Sequence, residues 1–135
     1  MNNSNKNIKD KINDVLKDVK DDSSKYSKDE IESGRSLSIL CYLGILVLIP
    51  YFTEKKNNYV LYHVKQGFNL LLIELICFSV LELSVRIIWF LGGLVSIFST
   101  LLCLFYFGLS IAGIIYAYDG KAKELPVINK IKIIK

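Results

Sequence analysis

The chain has 135 residues, 52% of them hydrophobic, and a formal net charge of +4. Its length makes one domain the default, and its mean hydropathy of +0.37 excludes an ordinary soluble domain of this size. The eight Lys/Arg and eight Asp/Glu of residues 1–36 cancel, so the excess charge falls on residues 37–135; with no basic face interleaved with aromatics, a nucleic-acid partner has no support.

Residues 1–36 read as a charged N-terminal tail. Within it Ile8, Ile12, Val15, Leu16 and Val19 recur at helical spacing, which predicts a short amphipathic helix. Such a helix is marginal alone in water; it is either solvated or docked on a partner or a membrane surface. The stretch DDSSKYSKDEIESGRS has no sustained period and reads as a linker. No cleavable signal peptide is evident, because the polar, two-signed N-terminus lacks the short basic and then apolar order. The first apolar run is therefore expected to act as an uncleaved anchor.

Residues 37–118 read as a helical membrane domain. The run Leu37–Phe52 is short for a hydrocarbon core of about 30 Å, which takes about 17–25 residues. Either it spans with little tilt or it is re-entrant. Pro50 and the TEKKNN loop stop it. Val60–Tyr118 is too long for one span and fits two, at about residues 62–81 and 94–118. The turn falls within Glu82–Gly93, where Glu82 and Arg86 are spaced as an i, i+4 ion pair and Trp89 suits an interface. The expected fold is thus an all-α integral membrane protein, a bundle of about three transmembrane helices. A fourth helix or a re-entrant first segment are the alternatives.

On the last span Ser96, Ser99, Cys103, Tyr106, Ser110, Gly113 and Ala117 recur in steps of three and four. Small residues permit close approach in lipid, so this stripe is expected to be a packing face, inside the bundle or between copies of the chain. Cys41, Cys77 and Cys103 lie in apolar runs without metal-ligand spacing and read as small hydrophobes. Residues 119–135 form a basic tail. Its five lysines place the C-terminus in the cytoplasm, because Lys resists translocation. Three spans would then put the N-terminal tail outside, against its eight basic residues. A re-entrant first segment keeps both ends inside.

The polar residues that open the second span carry the candidate site. His63, Gln66 and Asn69 step across about a third of a helix, and Glu74 lies near the angle of His63, roughly 16 Å deeper. The cluster is either an interfacial helix entry that bonds the preceding loop or a polar track for an ion, a proton or a translocating chain. A carboxylate facing lipid is costly, so Glu74 should face protein or water. No catalytic order of residues, no metal-ligand set and no phosphate loop is present. No enzyme activity, cofactor or metal is therefore expected.

The run YLGILVLIPYFTEKKNNYVLYHVKQGFNLLL resembles the small membrane-protein family of unknown function grouped with the Tic-twenty-like import component of the chloroplast inner envelope. The shared marks are H-x-x-Q-x-x-N at His63, Gln66 and Asn69, then A-x-x-G and Leu-Pro at Ala117, Gly120, Leu125 and Pro126. The resemblance covers about residues 37–130 and implies a bundle of three or four membrane helices, without implying an activity. The chain lacks a convincing fourth span. The expected function is a non-enzymatic, multi-pass cell-membrane protein that binds a partner in the membrane, as an accessory, scaffold or immunity-type factor. Its expected partners are the bilayer, another membrane protein or a second copy of itself. The alternative is a transport or translocation subunit that uses the His63–Glu74 face.

Overall fold

The computed structural model describes residues 6–11, 14, 19–126, 128, 130, 131 and 133. Residues 6–11 are helical, with Ile8 exposed. Ile12, Val15 and Leu16 of the expected stripe lie outside the described residues, and Val19 lies past the helical stretch.

Helix α1, Lys28–Leu40, begins inside the segment read as linker and runs across residue 36. A capping box starts it. The Ser27 hydroxyl accepts from the Glu30 amide at 3.2 Å, and the Glu30 carboxylate accepts from the Ser27 amide at 3.0 Å. Asp29 and Glu30 in the first turn also suit the positive end of the helix. After Leu40 the chain reverses through Cys41–Leu43 and Gly44, whose φ is +61°. A 3-10 turn, Gly44–Val47, and helix α2, Leu48–Thr53, carry it back. Asn57 then donates to the Glu30 carbonyl at 2.8 Å and to the Ser33 hydroxyl at 3.2 Å. The first apolar run therefore doubles back, and the residues after it return to the side of α1.

Asn57 caps the next helix by accepting from the Tyr59 and Val60 amides at 3.0 and 3.2 Å. Helix α3 spans Asn58–Ile87. A 3-10 turn, Trp89–Leu91, leads to helix α4, Gly92–Tyr118. The two run antiparallel, joined near their open end by Tyr59 donating to the Ala117 carbonyl at 3.1 Å and further along by the Tyr106 hydroxyl to Cys77 Sγ at 3.2 Å. Helix α1 packs on both. Its fit needs Gly34, where a Cβ would overlap the Val60 side chain, and two further glycines face the turn that follows it. A Cβ at Gly67 would overlap the Cys41 carbonyl, and one at Gly113 would overlap the Tyr42 ring.

The core sits at the open end of this hairpin, where Tyr42, Tyr59, Val60, Leu125 and Ala117 are all buried. Beyond it the outer faces of α3 and α4 are bare, with Val80, Leu83, Ile97 and Leu101 all exposed. Among the described residues, one stretch, Trp89–Tyr118, is long and apolar enough to cross a membrane. Helix α3 is as long but carries Lys65, Glu74, Glu82 and Arg86. All the regular elements described are helical; the one β-bridge pairs Asp21 with Lys123. There the Asp22 amide donates to the Ala122 carbonyl at 2.9 Å and the Glu124 amide to the Lys20 carbonyl at 3.1 Å. The segments flanking the helices thus leave the hairpin side by side.

Candidate functional site

Helix α4 stops in a way that aims the following chain back across α3. Gly120 takes φ +70°, its amide bonds the Ala117 carbonyl at 3.2 Å, and the Lys121 amide bonds the Tyr116 carbonyl at 2.8 Å. This is a Schellman stop, in which glycine meets the left-handed turn without a Cβ penalty. Lys123, Leu125 and Ile133 then lie against the face of α3 that carries Gln66 and Asn69.

Gln66 grips that segment as a neighbouring strand would. Its Nε2 donates to the Lys123 carbonyl at 2.8 Å, and its Oε1 accepts from the Leu125 amide at 3.0 Å. Asn69 Oδ1 accepts from the Ile133 amide at 3.0 Å. Both side chains are buried, and Leu125 is fully covered. His63 faces the turn after α1 instead. Its Nδ1 lies 2.8 Å from the Tyr42 hydroxyl, which also approaches Gln66 Oε1 at 3.5 Å. Three tyrosine rings enclose the imidazole edge-on: Tyr59 at 4.7 Å, Tyr62 at 5.4 Å and Tyr42 at 5.7 Å between centroids. Among the described residues, no hydrogen-bond partner of good geometry reaches the buried Nε2 of His63.

The arrangement is a clamp. Two amides satisfy tail backbone that would otherwise be buried and unpaired. The two sequence signatures meet in it: Gln66 holds Leu125, while Ala117 and Gly120 turn the chain toward it. Pro126 is half-buried. Glu74 is half-buried too, and with Ser110 and Tyr42 it borders a void of about 10 Å³, close to the room one water needs.

At the mouth of the clamp, Lys123 approaches the Asp21 carboxylate at 3.5 Å. The Asp21 pKa is held below the usual value, first by a hydrogen bond from the Ser23 hydroxyl; desolvation opposes it next, and the Ser23 amide and the Lys123 charge lower it further. Asp22 is lowered as well, first by Lys25 at 2.9 Å and further by Lys20. The Ser23 hydroxyl also accepts from the Ala122 amide at 2.9 Å.

Of the stripe on α4, Tyr106, Gly113 and Ala117 are buried, Ser99 and Ser110 are half-buried, and Ser96 and Cys103 are exposed. Leu109 is buried beside them. Of the other cysteines, Cys41 is buried and Cys77 half-buried. Among the described residues no three His, Cys, Asp or Glu side chains gather as a metal site would need. Tyr42 and Tyr59 belong to the site although sequence reasoning passed over them. Each is one aromatic among many apolar neighbours, and nothing local sets it apart.

A family model described as the magnetosome magnetite crystal formation protein family matches residues 33–134, more than half of the chain. No curated protein and no solved structure matches. The match corrects the grouping with the Tic-twenty-like import component: the residues that carried that resemblance fall inside the magnetosome family's model.

Proposed function

The chain belongs to the magnetosome magnetite crystal formation protein family, and from that premise we propose that it is a small, non-enzymatic integral membrane protein that serves crystal formation by binding a partner within the membrane. The observation that supports this reading is the outer surface of the α3–α4 hairpin. Leu75, Ile76 and Val80 on α3, and Leu94, Ile97, Leu101 and Leu104 on α4, are each more than half exposed. Scattered exposed hydrophobes are ordinary on a soluble protein, but a continuous band of this length is not. Hydrocarbon removes the cost of exposing it.

On this reading α3 and α4 cross as two legs while α1 and α2 enter and leave from one side. The exposed Glu82–Arg86 pair, 3.1 Å apart, and Trp89, 82% exposed, mark the far interface. Both flanking segments stay in the cytoplasm, which suits the lysines at each end. The amide groups of Gln66 and Asn69 are occupied by the chain's own backbone, so a transport track along the His63–Glu74 face draws no support from them.

Three measurements test this. The protein should stay in the pellet when membranes are washed with alkaline carbonate and leave it only in detergent; carbonate release would sink the membrane reading. Reporters placed before Met1 and after Lys135 should both be active in the cytosol, and an external signal from either would overturn the two-leg arrangement. In a host that builds magnetite, deletion should alter crystal size or number.

A further inference from the structure

Beside the clamp a cavity of about 450 Å³ opens between α3, α2 and the residues before α1. That volume falls within the roughly 300–1,000 Å³ of small-molecule sites. Half of its lining residues are aromatic, Tyr26, Tyr51, Tyr62 and Phe68, and its one charged residue is Lys65. Lys65 is exposed and pairs with no carboxylate among the described residues. The Tyr51 ring, 5.5 Å from Phe68, continues outward into Phe52, which is 68% exposed. The charged loop Glu54–Lys56 follows directly. The cavity mouth therefore sits where an apolar outer face gives way to a charged one.

We infer that this cavity holds one anionic phospholipid, its phosphate at Lys65 and the start of an acyl chain against Tyr51 and Phe68. The inference rests on the membrane reading above. A lone cation attracts the phosphate, and the aromatic wall and the exposed Tyr51–Phe52 edge need an apolar occupant beside it. A free phosphate would leave that edge uncovered, and a neutral amphiphile would leave Lys65 unpaired. Tyrosines, with apolar rings and polar tips, suit the headgroup level where such a lipid lies.

The test uses the full chain purified in mild detergent. Phosphatidylglycerol, phosphatidylcholine or inorganic phosphate is added, and bound lipid per chain is counted by native mass spectrometry. One phosphatidylglycerol per chain should survive delipidation, with neither of the other two displacing it. Lys65→Glu should weaken retention by about tenfold or more, the order expected for reversing one cation at an anionic headgroup. Leu61→Trp, which fills the cavity without changing charge, should abolish retention. Both variants should melt like the wild type. Equal retention of the two lipids, displacement by phosphate alone, or unchanged binding in Lys65→Glu would each overturn the inference. Carbonate release would instead remove the membrane reading on which it rests, so the two failures are distinguishable.

Discussion

At its open end the α3–α4 hairpin is wrapped by α1, α2 and the segment after Gly120; at its far end nothing described surrounds it. The wrapped half buries His63, Gln66 and Asn69 and pairs each with another part of the chain. Around the far turn the side-chain hydrogen bonds are local: Ser84 to the Val80 carbonyl, Thr100 to the Ser96 carbonyl and Arg86 to Glu82. The difference teaches where the fold is specified. Apolar helices in lipid have little hydrophobic reason to choose one partner over another. Directional hydrogen bonds and glycine-sized gaps at the wrapped end make that choice, while the bare end follows the hairpin connection.

The sharpest way to break this contrast is Gly67→Leu. Any side chain there drives into the Cys41 backbone, which cannot move aside as a flexible side chain would. A loss of about 3 kcal/mol or more is expected, with α1 and α2 released to proteolysis in detergent. A wild-type melting curve would remove the argument for close docking. Next in size is Gln66→Leu. It keeps the bulk but leaves the Lys123 carbonyl and Leu125 amide without partners, at about 1–3 kcal/mol for each buried group so exposed. Faster amide exchange at Leu125, with α3 and α4 still paired, is the expected signature.

A milder probe is acid. The folded pKa of Asp21 lies below its ordinary 3.8, so its contribution is present above that value and fades as pH falls through the lowered one. As pH falls below 3.8, the protection of the Ala122 amide, its exchange rate set against the unfolded-chain rate at the same pH, should drop while helix content holds; unchanged protection would mean the Asp21–Lys123 contact does nothing to hold the segments together. The smallest effect belongs to the bare half. Leu104→Ala removes a side chain that is 63% exposed, and less than about 0.5 kcal/mol should be lost. A larger loss would show that something packs there, a second copy of the chain being the first to test by crosslinking through exposed Cys103.

Much of the architecture was legible in the sequence: the apolar runs, the break near Trp89 and the helix that ends at Tyr118. The brevity of Leu37–Phe52 left both a span with little tilt and a segment that turns back open, because length alone cannot choose between them. The S-x-x-E pattern at Ser27 and Glu30 announced the start of α1; the polar composition around it masked the signal. The polar cluster was visible as a cluster, whereas its partner was not. Gln66 bonds backbone 57 and 59 positions away, and backbone carries no residue-specific pattern for a reader of sequence to match. The α4 stripe mixed two environments because helical spacing marks a face without saying how far along it a neighbour reaches.

The clamp also has a history within each molecule's lifetime. The backbone groups that satisfy Gln66 and Asn69 are made 57 to 64 residues after them. At about 5–20 residues per second of synthesis, that is a gap of roughly 3–13 seconds. For that interval the nascent α3 holds two uncapped amides, and whatever receives it from the ribosome must shelter them. The newborn protein is thus unfinished in a place that only its own later residues can close.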